Sequence, residues 1–235
     1  MSDTAVKGRY YILDAYRGLC VLLMILHHAA FDLTIYGYLP VWLTVNPVMS
    51  VLQPFFAGSF IVMSGASCRF SRSNLKKGII LALISAGVSV VTYFFTPDMF
   101  ISFGILHFLA CASLIYHFLR RLFEKYEKYL GLLCLAVFFV LFFIFPVYIG
   151  TDGLAFLGFP TFSYASGDYY PILPWIFLFF FGAFWGGLIK EGRMPSFFYT
   201  FRCPFFEKIG KLSLIIYLAH QPLLYALVTL LSKTK

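Results

Sequence analysis

The sequence predicts an all-α fold, a polytopic membrane bundle of about seven transmembrane helices, on three observations. Of 235 residues, 61% are hydrophobic and only 12% charged, with 30 Phe and 16 Tyr; a water-soluble domain does not carry that balance. Apolar stretches near the thickness of a bilayer core recur along the whole chain. Basic residues fall in alternate connections between those stretches and leave the others bare.

The stretches run over about 11–33, 49–68, 78–96, 102–119, 129–149, 170–189 and 212–231. Asp14 and Arg17 interrupt the first and spoil the apolar centre that a cleavable signal peptide needs, so it is expected to remain as a span. The second carries Gly58, Ser59, Ser64, Gly65, Ala66 and Ser67, small residues that let helices approach closely. The third holds no charged residue; the fourth carries Phe103-Gly104-Ile105-Leu106-His107 near its outer start and ends ahead of Arg120-Arg121. The sixth opens on Asp168-Tyr169-Tyr170-Pro171 and Pro174-Trp175, whose rings suit interfacial anchoring, and continues to Gly182, Gly186 and Gly187, which suit packing. The seventh contains His220 and then Pro222, whose missing N–H can open a kink beside a cavity. Without repeats, low-complexity runs or a long linker, one domain over residues 1–235 is expected.

Orientation follows from the charges. Lys7, Arg9 and Arg17 precede or enter the first span, and Arg69, Arg72, Lys76 and Lys77 join the second to the third. Arg120, Arg121, Lys125 and Lys128 join the fourth to the fifth; Lys190, Arg193, Arg202, Lys208 and Lys211 join the sixth to the seventh. The connections 34–48, 97–101 and 150–169 hold neither Lys nor Arg, which leaves only Lys233 and Lys235 at the far end. The positive-inside rule then puts the N-terminus in the cytoplasm and the C-terminus outside. The net charge of +8 is thereby read as topology; no single basic face forms, and no nucleic-acid partner is expected. Cys20, Cys68, Cys111, Cys134 and Cys203 lack the paired short spacings of a zinc site or a disulfide framework.

An ionisable side chain inside a span costs roughly 2.5–3.5 kcal/mol on insertion scales, so it tends to face the bundle interior and mark function. The first span carries four on one face. At about 100° per residue from Asp14, Arg17 falls near −60°, His28 near −40° and Asp32 back near zero, while His27 turns away. Roughly 16 Å of helix separates Arg17 from His28. An arginine at the cytoplasmic end and a histidine toward the outer end suit a ligand that is anionic at one end and reactive at the other. His28 and Asp32 at i,i+4 can form a base and its orienting carboxylate. Equally, Asp14 and Arg17 at i,i+3 can neutralise each other while His28 bonds a neighbouring helix. His107, at a depth similar to that of His28, and His220 are candidates for the same cavity. Ser64-Gly65-Ala66-Ser67, just before Arg69, can pack closely or offer backbone donors to phosphate. Asp168 can anchor its loop or contact an extracytoplasmic substrate; His27 and His117 are read as packing or surface residues.

No glycine-rich dinucleotide fingerprint, phosphate-binding loop, Gly-x-Ser-x-Gly elbow or paired-His zinc helix is visible. The chemistry these residues can support is intramembrane.

Leu13-Asp14-Ala15-Tyr16-Arg17-Gly18, followed by Leu23-Met24-Ile25-Leu26-His27-His28 and Phe31-Asp32-Leu33, resembles the catalytic domain of the heparan-α-glucosaminide N-acetyltransferase family, particularly its short bacterial members. Phe55-Phe56-Ala57-Gly58, Ser64-Gly65-Ala66-Ser67, Phe103-Gly104-Ile105-Leu106-His107, Pro174-Trp175 and Ile216-Tyr217-Leu218-Ala219-His220-Gln221-Pro222 are similar to later landmarks of that family, in the same order. The resemblance spans about residues 9–230; Arg-Gly followed by His on a first span also resembles the broader transmembrane acyltransferase superfamily.

The resemblance implies transfer of an acetyl or other acyl group from cytosolic acyl-CoA, acetyl-CoA first, to a sugar or glycan acceptor on the opposite side. Arg17, Ser64, Ser67 and Arg69 are then expected to hold the phosphorylated part of CoA. His28 is expected to act at the thioester and deprotonate the acceptor, with Asp32 orienting it and His107 assisting or binding the oxyanion; Trp175 and His220 are expected to contact the acceptor. Direct transfer and a transient acetyl-His28 are both compatible with it. Lysosomal members carry a His-Ala-x-Trp-Asn-Gly stretch after the first span and an Asn where His28 stands; loop 34–48 here has Trp42 and Asn46 but no His. A bacterial-type envelope glycan, rather than a heparan-derived one, is therefore the expected acceptor, at a bacterial inner (plasma) membrane. No metal or haem is expected; membrane lipid surrounds the protein, and a homodimer is compatible with so small a bundle.

The alternative is a small-solute transporter or channel with the same polar groups along an intramembrane path, which predicts two similar halves that the sequence lacks. A b-type cytochrome needs facing His pairs, and His107 and His117 fall about 80° apart on one helix. A purely structural membrane subunit is the third reading.

Overall fold

The computed structural model describes residues 10–149 and 151–233. Lys7, Arg9 and Lys235 of the charge count lie outside the described residues, as do the side chains of Lys128 and Lys233. The fold is all-α: α1 (Tyr11–Ile35), α2 (Pro47–Cys68), α3 (Asn74–Phe95), α4 (Ile105–Phe142), α5 (Ile172–Lys190), α6 (Phe197–Thr200), α7 (Pro204–Lys211) and α8 (Ser213–Lys233). No β-strand occurs among the described residues; Phe103 and Tyr169 make one isolated bridge. Six described helices are long and apolar enough to cross a membrane, and Tyr129–Phe142 is a shorter apolar stretch. The expected polytopic helical membrane fold is thus present.

The chain divides into two compact units, residues 1–60 with 192–235 and residues 61–191. In the first unit, α2 starts where the Asn46 carboxamide oxygen accepts the N–H groups of Val48 and Met49, a side-chain cap for donors the helix leaves open. A Cβ on Gly210 would lie 1.8 Å from the Asp14 carbonyl oxygen, and one on Gly18 would lie 2.1 Å from that of Phe206. Glycine on both sides therefore lets the backbones of α1 and α7 touch. The Glu207 carboxylate, buried in α7, accepts the Cys203 N–H at the helix start and binds the Arg202 guanidinium at 3.0 Å. Arg202 also lies 3.5 Å over the Tyr11 ring, a cation–π contact. Its hydrogen bond to Glu207 holds the guanidinium above its ordinary pKa.

In the second unit the small residues of α2 face those of α5. Added Cβ atoms on Gly65, Gly182 and Gly186 would lie 2.1, 2.2 and 2.6 Å from the carbonyl oxygens of Phe179, Val62 and Ala66. Around this seam Phe108, Tyr116 and Phe179 are buried together, with ring centroids of 6.4 Å between each outer ring and Phe179.

Helix α4 differs from the expected pair of spans in one respect: helical bonding runs through all 38 residues from Ile105 to Phe142. The connection Arg120–Tyr126 contains no Gly or Pro, and its Arg, Leu, Glu and Lys residues favour helix, with Arg120 paired to Glu124 one turn on. Yet α4 is not one straight rod. Straight, it would be about 55 Å long. Its first N–H, on Ile105, donates to Asp168 at 2.8 Å, while Phe138 and Phe142 lie 5.5 and 5.8 Å from the Trp175 ring. Asp168 and Trp175 are seven residues apart, at most about 25 Å of chain. The helix therefore bends along its length, and both its ends approach the stretch 168–175.

Candidate active site

In the first unit, α1 and α8 bring three of the expected site residues together. The His28 and His220 rings lie 5.2 Å apart, and His27 stands edge-on to His28 at 5.9 Å. Asp32, one turn beyond His28, is buried, and both its carboxylate oxygens accept from Gln221 Nε2, at 3.3 and 3.4 Å. No hydrogen bond joins Asp32 to His28 among the described residues. A planar carboxamide anchored beside Pro222 presents its N–H group to the carboxylate, whereas His28 turns toward His220.

The tautomer of His220 follows from its partner. Its Nδ1 meets the Tyr217 carbonyl oxygen three residues back. A carbonyl only accepts, so Nδ1 carries the proton and the neutral ring keeps its lone pair on Nε2. That Nε2 is buried and has no hydrogen-bond partner among the described residues, in a residue 8% exposed. Sequence reasoning had His220 but not Gln221 or Tyr217 as partners; their signal is the Tyr-x-x-His-Gln spacing, which places a carbonyl under the ring and an amide beside it.

Arg17 lies eleven residues before His28 on the same helix, half-buried, with Nη1 3.0 Å from Asp14. Asp14 is 7% exposed, so the pair neutralises a carboxylate inside α1. The Tyr16 hydroxyl, one residue before Arg17, donates to Ser59 on α2 at 3.1 Å.

The remaining expected residues lie in the second unit. Ser67 Oγ donates to the Met63 carbonyl at 2.7 Å, a bond back into its own helix. Ser64 is buried beside Gly65, and its carbonyl accepts from Lys77 Nζ at 3.4 Å. Arg69 Nη1 lies 2.8 Å from Glu124, which also pairs with Arg120. Lys77, which sequence reasoning passed over as a topological charge, also reaches Cys68 Sγ at 3.5 Å and so covers the last turn of α2 with a cation.

His107 uses both ring nitrogens. Nδ1 accepts the Gly104 N–H at 3.2 Å, so the neutral ring carries its proton on Nε2, which donates to Ser89 Oγ at 3.1 Å; Ser89 passes its own proton to the Ile101 carbonyl at 2.6 Å. Asp168 caps α4, and a side chain at Gly104 would strike its carboxylate at 2.3 Å. Trp175 is buried among Phe138, Phe142 and Tyr170. In the loop before α5, burial pushes the Tyr169 and Tyr170 hydroxyls upward in pKa. Among the described residues no cluster of three or more His, Cys, Asp or Glu is placed to hold a metal ion.

A many-helix chain with six helices long and apolar enough to cross a membrane, and with His28 beside the buried His220 and Asp32, has the form of an integral membrane protein. The heparan-alpha-glucosaminide N-acetyltransferase catalytic family matches residues 9–222, and the chain belongs to that family. It is a membrane acetyltransferase. No match is found among curated proteins or among solved structures.

Proposed function

We propose that the protein moves an acetyl group from cytosolic acetyl-CoA to the amine or hydroxyl of a sugar or glycan acceptor on the other side of a bacterial inner membrane. The observation that carries this reading is the His28–His220 pair beside the Gln221-held Asp32, at the far end of the helix that carries Arg17. The charge asymmetry of the connections supports an N-terminus in the cytoplasm, which puts the Arg17 end of α1 on the donor side.

Arg17, paired with Asp14 through Nη1, is the first unit's candidate for holding phosphate by charge-assisted bonds. Ser64, Ser67 and Arg69 are the second unit's candidates for phosphate. His28 takes the acceptor's proton as its nitrogen or oxygen attacks the thioester carbon, and the buried Asp32 carboxylate favours the imidazolium that forms one turn away. In the second unit His107, whose Nε2–H is held by Ser89, is a candidate for assisting the transfer, and Trp175 is a candidate for contacting the sugar.

The test supplies detergent-purified protein with acetyl-CoA labelled on the acetyl carbonyl and with glucosamine as acceptor. The expected result is an acetylated sugar with one free thiol released per product, lost in His28→Ala. A folded wild type that neither binds acetyl-CoA by calorimetry nor transfers the label would overturn the reading.

A further inference from the structure

Resting on that reading, we infer that His220 is the second station of a proton relay, taking onto Nε2 the proton that His28 releases. Three observations on α1 and α8 carry it. The ring is oriented: Nδ1–H is committed to the Tyr217 carbonyl, so the lone pair on Nε2 is the ring's one remaining basic position. That position is buried and has no hydrogen-bond partner among the described residues, in a residue 8% exposed, a costly state for a polar atom with no further use. The His28 ring also stands close enough to serve it: imidazoles with centres 5.2 Å apart can turn one nitrogen of each to within about 3 Å.

His28 alone is a poor resting place for a proton. No hydrogen bond to a carboxylate or carbonyl holds it among the described residues, whereas a protonated His220 keeps its Tyr217 acceptor, and the Asp32 carboxylate acts on it through space. Among the described residues the charged and titratable groups around His220 are His28, with His27 behind it, and Asp32, all from α1, and on its own helix the Tyr217 ring, 5.4 Å away.

The step balances. The acceptor's nitrogen or oxygen forms a bond to the acetyl carbon, and the carbon–sulfur bond breaks with its electron pair leaving on sulfur. The acceptor's proton goes to the free nitrogen of His28, and the proton on the opposite nitrogen of His28 passes to His220 Nε2. Return through the same rings to the CoA thiolate gives the free thiol and restores both neutral histidines.

Two measurements test it. Nitrogen-15 NMR of histidine-labelled wild type, with the His220 signals assigned by their loss in His220→Gln, should show a protonated Nδ1 and a bare Nε2 at neutral pH. A proton on Nε2 of the neutral ring would sink the relay whether or not acetyl-CoA is the donor. In acetyl transfer to glucosamine, His220→Gln should lower kcat by about 10²–10⁴-fold with both KM values within about threefold of wild type. Added imidazole should then restore part of the rate to His220→Gly. A kcat within about threefold of wild type, or a rise in the glucosamine KM alone, would make His220 a wall of the site instead. Absence of transfer by the wild type itself would overturn the proposed function, and the NMR result would still decide the state of His220.

Discussion

Gln221 on α8, not His28 on α1, holds the buried carboxylate of Asp32, its Nε2 within 3.4 Å of both oxygens. The link is charge-assisted and joins the two helices that carry the paired histidines. Gln221→Leu should therefore lower stability by about 1.5–3 kcal/mol, because the carboxylate is left buried without its donor. Thermal unfolding in detergent measures this, and Asp32→Asn combined with Gln221→Leu should recover part of the loss.

The α2–α5 seam makes a sharp contrast among glycines. Gly65→Ala places a methyl group 2.1 Å from the Phe179 carbonyl, whereas nothing lies within 4 Å of a Cβ on Gly87. The first should cost at least the 1–3 kcal/mol typical of overpacking, by about that order, and the second should be neutral or stabilising by up to about 1 kcal/mol. Equal melting temperatures for the two variants would show that the helices are not in backbone contact.

At the other end of the second unit, Asp168 serves as the cap of α4 from 63 residues away. Asp168→Ala should cost about 0.5–2 kcal/mol and leave acetyl-CoA binding unchanged. Loss of donor or acceptor affinity at unchanged stability would instead give Asp168 a place in the substrate site.

Arg17 is tied to Asp14, so its removal has two consequences that can be read separately. Arg17→Ala should weaken acetyl-CoA binding by about 10–100-fold, the equivalent of a charge-assisted bond, and also lower stability. Asp14→Asn with Arg17 intact should leave donor binding within about threefold. Calorimetry on both variants decides whether Arg17 is more than the partner of Asp14.

The helical membrane class was legible because composition and span length reflect the solvent directly. So was the shared face of Asp14, Arg17, His28 and Asp32, since helix periodicity alone sets it. Hydrogen-bond partners were less legible. The i,i+4 spacing offered Asp32 to His28, but the side chain of a residue 189 positions away took the carboxylate. His107 looked free for chemistry in sequence, yet its nitrogens cap a helix and bind Ser89, contacts set by how α3 returns toward α4. Nor do charges between two apolar runs announce whether helical bonding stops there; in α4 the charged residues are good helix formers and bonding carries on through them.

The length of α4 has a bearing on how the chain is inserted. Its 38 residues, about 55 Å if straight, exceed a hydrocarbon layer of about 30 Å. The apolar residues ahead of Arg120-Arg121 and those beyond Tyr129 belong to one bonded helix and so to a single unit of biogenesis. Weakening the apolar character of 105–119 would then disturb the entry of the other half as well, before any acetyl group is moved.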